Sequence, residues 1–202
     1  NVIVRLCSIE CCFSHPLESC EVNASFADDI RGWSKICNRL YVWDYVTNFS
    51  HYIQPFPNLY VLKPNIKFFV EHGVKGIFEE GNYAPGGGGE FAELRAYVLA
   101  KLLWNPEYDT DLVIDEFLEG YYGKSASPLR EYINMLHKKV KDENIHFNIR
   151  TKPDSELFSE DVIKRTTDIF DQAEKLADND QVLHRVQVAR LPIQYVKLAT
   201  DA

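Results

Sequence analysis

Leu40-Tyr41-Val42-Trp43-Asp44-Tyr45, the centre of the apolar run Arg39 to Val46, decides how the rest of the chain is read. Aliphatic and aromatic residues fill the run without strict alternation, the pattern of a strand in a parallel sheet covered on both faces. Two runs of the same character flank it, Val2 to Cys7 and Val74 to Glu79. Between the first two lie a long loop, Ser8 to Ala24, and a short predicted helix, Phe26 to Ile36. Between the second and third, Pro64 to Glu71 reads as one short helix, with Pro64 in its first turn and Gly73 just past its end. Strand, helix, strand, helix, strand is the grammar of an α/β fold.

Past residue 90 the periodicity changes to that of helices. Glu90 to Trp104 spaces Phe91, Leu94, Val98 and Leu102 along one stripe, and Asn105-Pro106 stops it. Thr110 to Tyr122 does the same with Val113, Phe117 and Tyr121 and ends at Gly123. Ser127-Pro128 opens a third helix that runs to about Val140. Residues 142–155 are polar, include Pro153, and read as a linker. Ser159 then starts a long helix with Glu160 and Asp161 in its first turn, and a last helix from about Asp180 is expected to kink at Pro192. The expected division is a sheet-bearing part at 1–90, packing helices at 91–141, and a C-terminal helical extension at 142–202.

Three βα units do not close a sheet, and a full (β/α)₈ barrel takes about 250 residues. The expected fold class is therefore α/β: the C-terminal part of a (β/α)₈ TIM barrel, about three parallel strands, followed by a helical region. A small open α/β sheet with a helical cap is the competing arrangement. The chain also starts at Asn1, directly in a strand-like run, which suggests a portion of a longer protein.

Composition limits the function classes. In 202 residues, 46% are hydrophobic and 26% charged, globular values that exclude disorder and coiled coil. The formal net charge is -8 with no Lys/Arg cluster, so phosphate-backbone binding has little to work with and no nucleic-acid partner is expected. No apolar run approaches the roughly 20 residues of a membrane span. All five cysteines, Cys7, Cys11, Cys12, Cys20 and Cys37, fall early in the chain; the odd count and the lack of any C-x-x-C argue against a disulfide framework and a zinc ribbon. A site joining Cys7, Cys11, Cys12 and His15 ranks below simple burial of the thiols, and a single Cys12 to Cys20 bridge is the favoured alternative. Neither a metal nor a cofactor is expected.

Sites in parallel α/β folds gather at the carboxyl ends of strands, where loops converge over a rigid base. Those ends here read Ser8-Ile9-Glu10-Cys11-Cys12-Phe13-Ser14-His15, Trp43-Asp44-Tyr45-Val46-Thr47-Asn48 and Glu79-Glu80-Gly81-Asn82-Tyr83. Each joins a carboxylate to aromatic or amide groups. Sugar rings stack their C–H faces on Trp or Tyr and present hydroxyls to Asp, Glu and Asn. Glycoside hydrolysis needs two carboxyl groups, one protonated and one ionised. Asp44, Glu79 and Glu80 are the candidate catalytic acids, with Trp43, Tyr45, Asn48, Asn82, Tyr83 and His15 as substrate contacts. Glu79 and Glu80 are adjacent in a strand, so only one can face a given cleft. The run Gly86 to Gly89 lacks the Lys-Ser/Thr of a phosphate loop and reads as a mobile loop or lid.

The segments Leu40 to Tyr45, Gly76 to Tyr83 and Glu93 to Pro106 together resemble an uncharacterised bacterial family, a glycoside-hydrolase-like domain of unknown function frequent in gut Bacteroidetes. Ala100 to Tyr122, with Leu-Leu-Trp-Asn-Pro and Asp-Glu-Phe, also looks like the region behind the catalytic barrel of α-glucuronidases. The resemblance covers roughly residues 1–140. It implies the C-terminal portion of a barrel, a secreted or periplasmic location, and a hydrolase acting on plant or host oligosaccharides or polysaccharides, with uronic-acid-containing ones among the candidates. The alternatives are a non-catalytic carbohydrate-binding protein and a structural region forming a homodimer through the C-terminal helices.

Overall fold

The computed structural model describes residues 2–83 and 88–200, so Gly86 and Gly87 of the expected lid lie outside the described residues. Three strands, β1 (Val4–Cys7), β2 (Leu40–Tyr45) and β3 (Gly76–Glu80), form one parallel sheet in sequential order. Two helices, α1 (Ala24–Ile36) and α2 (Leu59–Glu71), make the crossovers. Five more follow: α3 (Ala92–Trp104), α4 (Thr110–Tyr122), α5 (Ala126–Asp142), α6 (Glu160–Leu176) and α7 (Asp180–Thr200). Among the described residues no helix is long and apolar enough to cross a membrane.

The α/β class and the three parallel strands agree with the sequence. Covering of both sheet faces does not. Crossovers of the usual right hand in a sequential sheet lay their helices on one side, and the burial agrees. Leu40 and Val42 share a core with Ala27 and Ile30 of α1 and Leu62 and Phe69 of α2. On the other face Arg5, Cys7, Tyr41 and Phe78 are open, Phe78 with 52% of its surface exposed. The run looked uniformly apolar because its open side carries aromatic rings. Gly76 belongs to that side: a Cβ there would lie 2.4 Å from the Tyr41 ring of the neighbouring strand.

The starts of α2 and α5 differ from expectation for local reasons. Helix α2 begins at Leu59 and carries Pro64 inside it. Proline deletes one helical hydrogen bond, but Leu59, Val61, Leu62, Ile66, Phe68 and Phe69 are all buried, and the backbone N–H of Leu59 donates to His137 Nε2 at 3.1 Å. Helix α5 begins at Ala126, which keeps Pro128 in the first turn, where its missing N–H has no helical partner to lose. Helix α7 is continuous from Asp180 to Thr200 with Pro192 inside it.

The segment at 143–155, expected as a linker, is part of the core. Ile145, Phe147 and Ile149 alternate into it. The backbone carbonyls of Phe147 and Ile149 accept from the N–H groups of Phe13 and Phe49, both at 2.7 Å. The segment thus pairs with the loops that leave β1 and β2, holding the later helices to the strand ends.

Candidate functional site

The strand register sorts the candidate residues into two rows. Cys7 lies beside Trp43, Trp43 beside Phe78, Asp44 beside Glu79 and Tyr45 beside Glu80. Side chains alternate along a strand, so Asp44 and Glu79 point into the helix-covered side while Trp43 and Glu80 point to the open side. The parity expected for Glu79 and Glu80 is observed.

On the covered side, Asp44 is 3% exposed and takes a hydrogen bond from the Ser8 hydroxyl and another from the Tyr45 backbone N–H at 2.9 Å. Burial pushes the Asp44 carboxyl up to about 6, against the opposing pull of the Ser8 and Tyr45 donors. Glu79 is raised well above the ordinary glutamate range by burial and then by the neighbouring Asp44 charge. Its Oε2 is shut away with no hydrogen-bond partner among the described residues. Two carboxyls that cannot comfortably ionise together retain a proton between them. The pair can store a proton, but Asp44 cannot touch a solute.

On the open side, the Trp43 indole N–H donates to Glu80 Oε2 at 2.6 Å. Trp43 stacks with Tyr45 at 6.4 Å between centroids and meets Phe78 edge-on at 5.1 Å. The Arg5 guanidinium lies 4.6 Å from the centre of the Trp43 ring. The aromatic line continues edge-to-face through Phe49 and Tyr52 to Tyr83, which is 82% exposed. Here a half-buried carboxylate is fixed beside flat rings, with Phe78 and Tyr83 exposed nearby and Tyr45 packed beneath.

The remaining candidates serve the loops. Asn48 is fully buried: its Oδ1 accepts from the Ser50 and His51 backbones, and its Nδ2 donates to the Thr151 carbonyl at 2.6 Å. Asn82, with its amide oriented to accept, takes the N–H groups of Gly88 and Gly89 at 3.3 and 3.1 Å. His15 sits with Cys12, Cys20 and His146, away from the rings. Cys7 and Cys11 are not in that group, and all five cysteines are free, so the alternative, a Cys12 to Cys20 bridge, is not formed.

Sequence reasoning missed a buried ion pair. Glu90 and Arg95 meet at 2.8 Å, both nearly sealed from solvent. Arg95 also donates to Asn58 Oδ1 and to the Phe56 and Glu90 carbonyls. Burial outweighs pairing for both, holding Glu90 above and Arg95 below their ordinary values. The pair stands at the start of α3, next to Phe91, whose backbone adopts the left-handed region at φ 47°. Beside it a cavity of about 500 Å³ runs along the unpaired edge of β3, lined by Ile77, Glu79, Asn82, Arg95, Leu99 and Leu103 among others.

Fold and site together define a parallel α/β protein whose strand ends carry acids on both faces and aromatic rings on one. Residues 1–134 match the model of a family described as a domain of unknown function, DUF4838, and the chain belongs to that family. No curated protein and no solved structure matches it.

Proposed function

We propose that the chain forms part of the wall of a (β/α)₈ barrel in a glycoside-hydrolase-like protein, with the open face of the sheet turned to an oligosaccharide. The contact between the Trp43 indole and Glu80, beside the stacked Tyr45, carries this reading. Such a setting suits a sugar, whose apolar face lies on rings while its hydroxyls take the carboxylate. Two features of the sheet support the barrel. Among the described residues, β1 and β3 each have one edge without a neighbouring strand, and one face is uncovered. Further strands of the intact protein would pair with those edges and enclose that face.

In this reading Glu80 is the ligand-facing carboxylate, Trp43 and Tyr83 form the platform with the buried Tyr45 packed behind Trp43, and Asp44 with Glu79 holds a proton behind the wall. A glycosidase needs two carboxyl groups flanking the scissile bond. Glu80 supplies one, and a strand elsewhere in the intact protein supplies the other. A glycan substrate, uronic-acid-containing where the resemblance of Ala100 to Tyr122 to α-glucuronidases extends to substrate, goes with secretion or a periplasmic location. The sealing of Asp44 and of Glu79 Oε2 favours a second reading, a carbohydrate-binding protein without turnover.

Titration of the intact protein with a panel of uronic-acid-containing and neutral oligosaccharides tests both. Binding by at least one, weakened about tenfold, or roughly 1.4 kcal/mol, in Trp43→Ala is the expected result. No binding to any member counts against the carbohydrate assignment. Binding without hydrolysis selects the second reading.

A further inference from the structure

The loop after β1 and the segment after α5 bring four potential metal ligands to one point. Cys12 Sγ lies 3.4 Å from His15 Nδ1 and 3.3 Å from His146 Nδ1, and Cys20 Sγ lies 3.7 Å from His146 Nδ1. All four donor atoms fall within 4.8 Å of one another. With Zn–S near 2.3 Å and Zn–N near 2.0–2.1 Å, a regular tetrahedron has S···N edges of about 3.5 Å, an N···N edge of about 3.3 Å and an S···S edge of about 3.8 Å. The three sulfur–nitrogen separations sit on the first of these values.

The surroundings fit a ligand set better than a chance meeting. Asn23, fully buried, grips the Cys12 turn from both sides: its Oδ1 accepts from the Cys12 N–H at 2.7 Å and its Nδ2 donates to the Cys12 carbonyl at 2.9 Å. The Ser14 hydroxyl bonds the Ile145 carbonyl at 2.8 Å and accepts from the Phe147 N–H at 3.0 Å, which sets His146 against His15 with ring centres 4.6 Å apart. His15 Nε2 has no partner among the described residues, so the polar contacts of its ring, to Cys12 Sγ and Ser14 Oγ, run through Nδ1. Both thiols are free and buried.

The geometry points to a structural zinc site in which Cys12, His15, Cys20 and His146 are the four ligands. Two thiolates and two neutral imidazoles neutralise a Zn²⁺ ion, and binding releases the two thiol protons to solvent with no change of oxidation state. Four protein ligands leave no open position, which makes the site a closed, structural one and not a catalytic one. Its work is mechanical. The ion would tie the loop that begins at Ser8, the residue bonded to Asp44, to the segment that leads from α5 toward α6. The inference does not rest on the carbohydrate reading.

Metal analysis of the intact protein, purified without a chelating tag, tests it. Wild type should carry about one zinc equivalent more than Cys12→Ser and than His146→Ala, while Cys7→Ser and Cys37→Ser keep the full content. In case the ligand variants fail to fold, the wild type is read directly. A strong chelator should lower its melting temperature, zinc should restore it, and cobalt in place of zinc should give the visible spectrum of a tetrahedral thiolate–imidazole complex. After denaturation with chelator, Cys12 and Cys20 should both alkylate. A peptide pair linked through Cys12 and Cys20, zinc retained in both ligand variants, or a wild type without bound zinc would each overturn the proposal.

Discussion

Asp44 and Glu79 lie on one face of the sheet, and Trp43 and Glu80, one position away along the same strands, lie on the other. Asp44 is sealed and holds two donors, Glu79 is half-buried with its Oε2 lacking a partner among the described residues, and burial holds both toward the protonated form. The second is open, with the Glu80 carboxylate satisfied by an indole N–H and set among rings. The same residue types thus take opposite roles through strand parity alone. Asp44 answers to the fold; Glu80, half-buried on the other face and fixed by the Trp43 indole, is available to a ligand.

Substitutions on the two sides should separate in size. The largest loss belongs to the buried charges at the start of α3. Arg95→Ala leaves Glu90 sealed and unpaired, and denaturant unfolding should show a loss of about 3–5 kcal/mol. Replacing both charges with apolar residues of similar volume should recover most of that, since the pair contributes little once its desolvation is counted.

Next comes a pH effect on the covered side. Asp44 is raised in the folded state from 3.8 to about 6, so the native state holds more protons than the unfolded state between those values. Stability therefore falls as pH rises through that window and is greatest below it. About two pH units at roughly 1.4 kcal/mol each bound the effect near 3 kcal/mol. Asp44→Asn should gain on wild type by up to that amount as pH goes from about 4 to 6, a trend that melting temperatures across the range would show. A constant difference across that range would mean that Asp44 ionises normally.

The smallest stability change is expected on the open face. Trp43→Phe keeps the ring and deletes the N–H bond to Glu80, a loss of about 1 kcal/mol in urea unfolding. Its effect on oligosaccharide binding should be proportionally greater than its effect on stability.

Much of the scaffold is legible in the sequence. Three β-rich runs separated by helical spacing set the parallel sheet, and Gly123 ends α4 as expected; the cap at its start, where the Asp109 side chain accepts from the Asp111 and Leu112 backbones, was not read from the sequence. Ile145-His146-Phe147-Asn148-Ile149 carried a strand-like alternation, but polar neighbours and Pro153 hid it within an apparent linker. The start of α2 was obscured by Pro64, because a proline inside a helix survives only where packing outweighs the lost bond. Which face of β2 is covered could not be read locally, since both faces carry large apolar side chains. Arg95 looked like an ordinary helix charge, and its burial is a product of packing against Glu90 and Asn58. The cluster around Cys12 needed His146, a residue that only the folded chain brings near.

Calorimetric titration of the intact protein with whichever oligosaccharide binds, carried out on Glu79→Gln and Glu80→Gln side by side, tests the division of the two faces most directly. The account predicts an affinity loss of about tenfold or more for Glu80→Gln, roughly 1.4 kcal/mol, and less than about twofold for Glu79→Gln. The reverse order, or equal losses, would contradict it.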